Sequence, residues 1–177
     1  TAVSETVDNC LSSPPSGERF GRRWMEVARR ADSAGTQIHA TFPHAWRYRD
    51  YVIDSYNSDK PFDEFITEQL AGDLLEPADE FDKAENLVAT GFLAIGTKGL
   101  NEISNRQFRF DLVDEQIDTT TQAFLATTVA CARCHDHKSD AIPMSDYYAM
   151  AGIFLSSETL YGTCLLYTSP SPRDLYR

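Results

Sequence analysis

The residues Cys-Ala-Arg-Cys-His at positions 131–135 have the types and the spacing that covalent haem attachment needs. Each of the two thiols can form a thioether with one vinyl group of a porphyrin, and two intervening residues give the sulfurs a workable separation. The histidine that follows directly then lies beneath the iron as its proximal ligand. The spacing therefore predicts a c-type haem held by Cys131, Cys134 and His135, with Arg133 able to pair with a haem propionate.

The same residues fit three other kinds of site, and the motif alone leaves these alternatives open. Cys131 and Cys134 can form a disulfide that acts as a redox pair, which would leave His135 without a role. A zinc or iron site can instead use both cysteines together with His135 and His137. The two thiols can also be merely structural.

The sixth ligand of the haem iron is not fixed by the motif. His137 is badly placed to reach the opposite face of the porphyrin, because it lies only two residues from the proximal histidine. A histidine or methionine from elsewhere would suit electron transfer, whereas an open position would suit ligand binding or catalysis. The candidates are His39, His44 and Met144.

Other catalytic signatures are missing from the sequence, and whether the protein is an enzyme stays open. It contains no glycine-rich phosphate loop, nucleophile elbow or zinc-protease signature. A run of acidic residues on the longest predicted helix, near Arg106 and Arg109, is typical of a solvated or salt-bridged helix face. The members of this run are Asp111, Asp114, Glu115 and Asp118.

Apolar residues recur at helical spacing along most of the chain, which predicts a mainly α fold. We expect an irregular domain of about six helices joined by long loops, with the cysteine motif directly after the longest helix. The acidic stretch 76–85 is expected to be an exposed connection. The predicted helices cover 18–31, 43–56, 59–70, 87–95, 104–128 and 143–154.

Particular residues are expected to set the faces and ends of these helices. Phe20, Trp24 and Val27 recur at helical spacing and predict the inward face of the first helix, as Trp46 does for the second. Asp59, shortly before a proline, is expected to cap the third.

Composition and charge limit the classes of function. The chain has 177 residues, 42% of them hydrophobic, and a formal net charge of −11. An acidic chain of this kind is a poor candidate for nucleic-acid binding, although a negative surface can steer a basic partner protein. No apolar run approaches the length of a membrane span, and no signal peptide stands at the start. Cys10 is expected to be a small buried residue.

The segment CLLYTSPSPRD at 164–174 differs in character from everything before it. It matches a translation of the transposase adapter used in sequencing-library preparation, and a Ser/Pro-rich linker is the alternative. We interpret residues 164–177 as a non-native read-through tail and residues 1–163 as a single domain.

Four long segments of the chain resemble one family, the planctomycete cytochrome-type domain of unknown function, or PSCyt type. The similarity spans nearly all of residues 7–163, in the family's order and with similar spacing. The segments are GERFGRRWMEVARRADSAG (17–35), AWRYRDYVIDSYNSDKPFDEFITEQLAGDLL (45–75), ATGFLAIG (89–96) and VDEQIDTTTQAFLATTVACARCHDHKSDAIPMSDYYAMAGIF (113–154).

The resemblance implies a location and a context. Members occur in large secreted or envelope proteins of planctomycetes and related bacteria, often with a separate upstream cytochrome c-like domain and a second conserved domain downstream. This chain would then be a fragment of an extracytoplasmic protein. The family's CARCHDHK element falls on residues 131–138 without a gap. The family often continues with Phe-Asp-Pro-Ile, but this chain has Ser-Asp-Ala-Ile at 139–142, so we expect a looser loop there.

The resemblance implies no particular activity, because the family is one of unknown function. We therefore expect a haem c-binding domain that transfers electrons to or from an unidentified redox partner. A second hypothesis is a redox or hydrolytic enzyme module acting on an extracellular substrate such as a polysaccharide. A third is a non-haem metal-binding or disulfide-stabilised interaction module, with zinc or iron as the metal.

Overall fold

The computed structural model describes residues 1–34, 41–100 and 102–159. The suspected tail at 164–177 and the candidate ligand His39 lie outside these residues. Over the described residues the chain is helical, and the only β-type pairing there is an isolated bridge between Ser33 and Thr41. The prediction of a mainly α fold with long loops is confirmed. None of the described helices has both the length and the hydrophobicity needed to cross a membrane.

Seven α-helices and three short 3₁₀-helices make up the described structure. The 3₁₀-helices are Gly72–Leu74, Thr90–Leu93 and Val129–Arg133. The α-helices are α1 (Ala2–Leu11), α2 (Pro14–Val27), α3 (Ala45–Asn57), α4 (Phe62–Ala71), α5 (Glu80–Ala89), α6 (Asn105–Leu125) and α7 (Met144–Leu155).

Some boundaries differ from the expected ones for identifiable reasons. The expected exposed connection at 76–85 is helical from Glu80 onward, because Asp79 caps α5 by accepting hydrogen bonds from the N–H groups of Phe81 and Asp82. The prediction that Asp59 caps α4 is wrong. Pro61 takes that position, and Asp59 adopts a left-handed backbone with φ of 53°.

The first helix, α1, has no counterpart among the predicted helices. Its apolar residues Val3, Val7 and Leu11 recur at helical spacing, but none of the helix is buried against a core. For the same reason Cys10, expected to be buried, is exposed.

The chain forms two compact units. The first comprises Thr1–Arg30 and His44–Phe92, and the second comprises Ala31–Pro43 and the chain from Leu93 onward. The cysteine motif belongs to the second unit, and α1 to α5 belong to the first.

An aromatic core that encloses a polar triad holds the first unit together. The Trp24 indole packs edge-on against Phe65, with 5.0 Å between ring centroids. Its Nε1–H donates to the Tyr48 hydroxyl at 3.0 Å and to Gln69 Oε1 at 3.1 Å. The Tyr48 hydroxyl also donates to Gln69 Oε1, so these deeply buried polar groups satisfy one another.

Glycines set the inward face of α2, which differs from the predicted face. Gly17, Gly21 and Trp24 are buried, whereas Phe20 is 47% and Val27 44% exposed. A Cβ on Gly17 would lie 2.6 Å from the Ile53 carbonyl oxygen, so only glycine lets α2 approach α3 this closely. Trp46, also predicted to point inward, is 47% exposed.

In the second unit the core lies between α6, α7 and the 3₁₀-helix Val129–Arg133. Ala126 ends α6 with a left-handed φ of 51°, which turns the chain at the helix C-terminus. The next residues then pack back on α6 and α7. The buried residues of this core are Val113, Ile117, Val129, Ala132, Tyr147 and Ala151.

Candidate functional site

The two motif cysteines lie at the end of the 3₁₀-helix Val129–Arg133. Cys131 is within this helix, and Cys134 caps its C-terminus. Residues three apart in a 3₁₀-helix lie on the same face, so the two side chains share one side of the turn. Ala132, between them, is completely buried in the core. Both thiols are free and exposed, so the turn presents them outward.

The hydrogen bonding of His135 assigns its tautomer. Its Nδ1 lies 2.7 Å from the carbonyl oxygen of Asp136. Because a carbonyl oxygen can only accept, Nδ1 carries the proton, and Nε2 of the neutral ring keeps its lone pair. Metal-binding histidines use this arrangement, in which one ring nitrogen donates to a carbonyl and the other binds the metal. The exposed His135 side chain therefore offers Nε2 as a ligand atom.

His137 has the opposite tautomer and is tied into the loop that follows the motif. Its Nδ1 accepts hydrogen bonds from the backbone N–H of Asp140 at 2.9 Å and of Ser139 at 3.3 Å. The proton therefore lies on Nε2, which is 3.2 Å from Thr128 Oγ1 and donates to it. Asp140 Oδ2 also lies 3.1 Å from Nδ1, a contact that is an ion pair only when the ring is protonated.

The loop after the motif is closed by its own hydrogen bonds. In addition to its ring contacts, His137 donates its backbone N–H to the Ile142 carbonyl at 2.8 Å. The Ile142 N–H in turn donates to the Asp140 carbonyl at 2.8 Å. These backbone bonds close the segment 137–142, and separate contacts engage both ring nitrogens of His137.

Asp114 on α6 connects the motif to helix α7 through hydrogen bonds. It accepts hydrogen bonds from Arg133 Nη1 at 3.0 Å and from the Tyr147 hydroxyl at 2.7 Å. The Tyr148 hydroxyl, also on α7, donates to the Arg133 carbonyl at 3.0 Å. The motif is thus anchored to both long helices of its unit, and Arg133, expected to be available to a propionate, is paired with Asp114.

Burial and the Asp114 charge shift the pKa values of this cluster. Burial raises the pKa of Tyr147 most, and the hydrogen bond to Asp114 raises it further. Burial alone would lower the pKa of Arg133, but the negative charge of Asp114 outweighs it and raises that pKa. Asp114 therefore accepts from a neutral Tyr147 hydroxyl and from the Arg133 cation.

Two residues of the acidic run at 111–118 on α6 form ion pairs. This agrees with the expectation that the run is a salt-bridged helix face. Asp114 pairs with Arg133, and Glu115 Oε2 lies 3.5 Å from Nζ of Lys98, whose side chain is almost completely buried. Neither basic partner is one of the two arginines on α6 near which the run lies. Sequence reasoning missed them because the ion pairs join segments that are distant along the chain.

Of the three candidate sixth ligands, Met144 and His44 lie among the described residues. Met144 is the first residue of α7, and its backbone N–H donates to Asp136 Oδ1 at 2.9 Å. His44 precedes α3 and belongs to the first unit, whereas the motif belongs to the second. The sixth position therefore has no assigned residue.

A site for a bare zinc or iron ion is not formed among residues 1–34, 41–100 and 102–159. No three Cys, His, Asp or Glu side chains in those ranges are grouped in a way that could hold a metal ion. His137, the residue that this alternative would add to the motif, uses both ring nitrogens within its loop. A four-ligand site would require that loop to rearrange.

The chain belongs to the PSCyt2 family, described as a protein of unknown function (DUF1549), which it matches over residues 1–159. The match includes the cysteine motif and every element described above. No curated protein and no solved structure matches the chain significantly.

Proposed function

We propose that this PSCyt2 domain binds a c-type haem covalently, through thioethers from Cys131 and Cys134 and with His135 as the proximal ligand. The observation that carries the proposal is the arrangement of these three side chains. Two free thiols lie on the same exposed side of a 3₁₀ turn, and an exposed histidine with an unprotonated Nε2 follows them directly. The dithiol alternative leaves the histidine unused, and a bare metal site would need His137, whose ring nitrogens are both bonded elsewhere.

The residues around the motif fit the needs of a covalently attached group. Ala132 anchors the turn in the core between the two cysteines, and Asp114 fixes Arg133 through an ion pair. The thiols are therefore held by a rigid support while remaining open to solvent. When bound, haem would supply one-electron redox chemistry.

Electron transfer within a larger extracytoplasmic protein is the function that this cofactor favours. The resemblance to planctomycete envelope proteins supports that location, where haem can be attached to thiols of exported chains. The formal charge of −11 would favour a partner with a basic surface. Association with such a partner would weaken as salt concentration rises.

A redox-active dithiol is the second candidate, favoured by one observation. Residues 131 and 134 place two free, exposed thiols on the same face, as a reversible disulfide between them would need. This function leaves His135 and its tautomer without a role, so we rank it below haem attachment.

Covalent attachment can be tested by producing the chain in a bacterial periplasm together with the haem-attachment machinery. Mass spectrometry of the denatured protein should show one added haem. Cys131→Ser and Cys134→Ser should lose at least one thioether. Cys10→Ser is the matched control, since Cys10 is also free and exposed but lies outside the motif, and it should retain full attachment.

The same experiment separates the alternatives. Folded protein with no added haem and an oxidised Cys131–Cys134 pair would support the dithiol. Folded protein with zinc or iron by elemental analysis would support the bare metal site. Either result would overturn the haem proposal.

A further inference from the structure

Asp136 makes two hydrogen bonds that link the proximal histidine to helix α7. Its carbonyl oxygen accepts the proton of His135 Nδ1 at 2.7 Å. Its side-chain Oδ1 accepts the backbone N–H of Met144, the first residue of α7, at 2.9 Å. One residue thus contacts both the candidate ligand and the start of the helix that packs beneath the motif.

Helix α7 depends on Asp136 because its own N-cap position cannot serve. That position holds Pro143, whose side chain makes no capping hydrogen bond. Asp136 supplies the missing acceptor from eight residues upstream, and its carboxylate also interacts favourably with the positive end of the helix dipole. The capping bond therefore fixes where Asp136 lies, and with it the direction of its carbonyl.

We propose that Asp136 is a positioning residue that holds His135 with its proton on Nδ1 and its lone pair on Nε2. The capped helix end fixes the Asp136 peptide, and the carbonyl of that peptide selects the tautomer. The tautomer is a property of the protein without haem. Its use for binding iron rests on the proposed function above.

The tautomer can be measured in the full chain produced without haem, from the ¹⁵N chemical shifts of the His135 ring at a pH where the ring is neutral. In the wild type the proton should lie mainly on Nδ1. Asp136→Asn keeps a capping oxygen and should preserve this preference. Asp136→Ala should lower the ratio of the Nδ1–H tautomer to the Nε2–H tautomer about fivefold, which is the factor that one ordinary hydrogen bond contributes.

Asp146→Ala is the matched control. Asp146 is an exposed acidic residue in the first turn of α7, so its removal changes the charge at the same helix end without touching His135. It should leave the tautomer ratio unchanged. If Asp146→Ala changed the tautomer ratio as much as Asp136→Ala does, the change would reflect a general loosening of α7. That result would overturn the proposal.

A wild-type His135 with its proton on Nε2 would overturn the proposal without any variant. In haem-loaded protein, Asp136→Ala should raise the midpoint potential relative to wild type and Asp136→Asn, because a weaker bond at Nδ1 makes the imidazole a poorer electron donor to iron. An unchanged potential would also contradict the positioning role. If no variant acquires haem, the proposed function fails, and the ¹⁵N measurement still decides the role of Asp136.

Discussion

His135 and His137 are separated by one residue, yet their hydrogen-bond partners assign the proton to different ring nitrogens. His135 donates from Nδ1 to a carbonyl, whereas His137 accepts two backbone N–H groups at Nδ1. One histidine is thus left with a free lone pair and the other is committed to its loop. The motif alone does not distinguish these roles, because both residues are histidines next to the same cysteines.

Replacing His137 by alanine should destabilise the protein by about 1–2 kcal/mol, because two loop N–H groups lose their acceptor. The matched variant is His135→Ala, which removes an exposed ring bonded only to the neighbouring carbonyl. It should change stability by less than about 0.5 kcal/mol. Urea unfolding of the haem-free protein measures both values, and equal costs for the two variants would contradict the assigned roles.

Tyr147 should make stability depend on alkaline pH. Its pKa in the folded protein is raised above the ordinary value of 10.0, first by burial and then by its bond to Asp114. The unfolded chain therefore loses its phenolic proton first as the pH rises. The stability that Tyr147 contributes is complete below about pH 10 and is lost at higher pH.

Tyr147→Phe should therefore flatten the decline of unfolding free energy between about pH 9 and 11. Some decline should remain, because burial also raises the pKa values of Tyr48 and Tyr51. Denaturant titrations across this pH range, on wild type and variant, test the expectation. Identical slopes in the two proteins would show that Tyr147 is not held as a neutral donor.

At the scale of elements, the glycine-containing face of α2 determines how closely it packs against α3. Gly17→Ala would place a Cβ 2.6 Å from the Ile53 carbonyl and 2.5 Å from the Asn57 side chain. The helices would have to separate, which should cost about 1–3 kcal/mol. The control is Gly152→Ala on α7, where an added Cβ meets no atom within 4 Å.

Gly152→Ala should stabilise the protein by about 0.5–1 kcal/mol, because glycine is a poor residue within a helix. Thermal or urea unfolding of the two variants should therefore give changes of opposite sign. A neutral or stabilising Gly17→Ala would show that α2 and α3 do not approach as closely as the structure has them.

The predictability of these elements follows from their side chains. Helices α6 and α7 were predictable from apolar spacing, and so was the position of the motif after the longest helix. The inward face of α2 was not, because glycines at the contact carry no apolar signal while exposed Phe20 does. Helix α1 has a short apolar stripe of Val3, Val7 and Leu11, but it buries none of its residues.

The sequence indicates the candidate ligands of the proposed site but not the residues that support them. Cys131, Cys134 and His135 stand together in the sequence, so spacing alone identifies them. Asp114 meets Tyr147 across a separation of 33 residues, and only the packing of α7 on α6 brings them together. The role of Asp136 also depends on where α7 begins.

For the whole molecule, the two compact units carry different features. The first has an aromatic core around a buried polar triad, and the second holds the motif on α6 and α7. The proposed chemistry thus belongs to the second unit.

The pyridine haemochrome spectrum of the full chain, produced in a periplasm with the haem-attachment machinery, tests the central claim most directly. With thioethers at both Cys131 and Cys134, the spectrum should be that of a haem whose two vinyl groups have reacted. Each single serine variant should show the spectrum of a haem with one remaining vinyl group. Folded wild-type protein without a haemochrome spectrum would contradict the account.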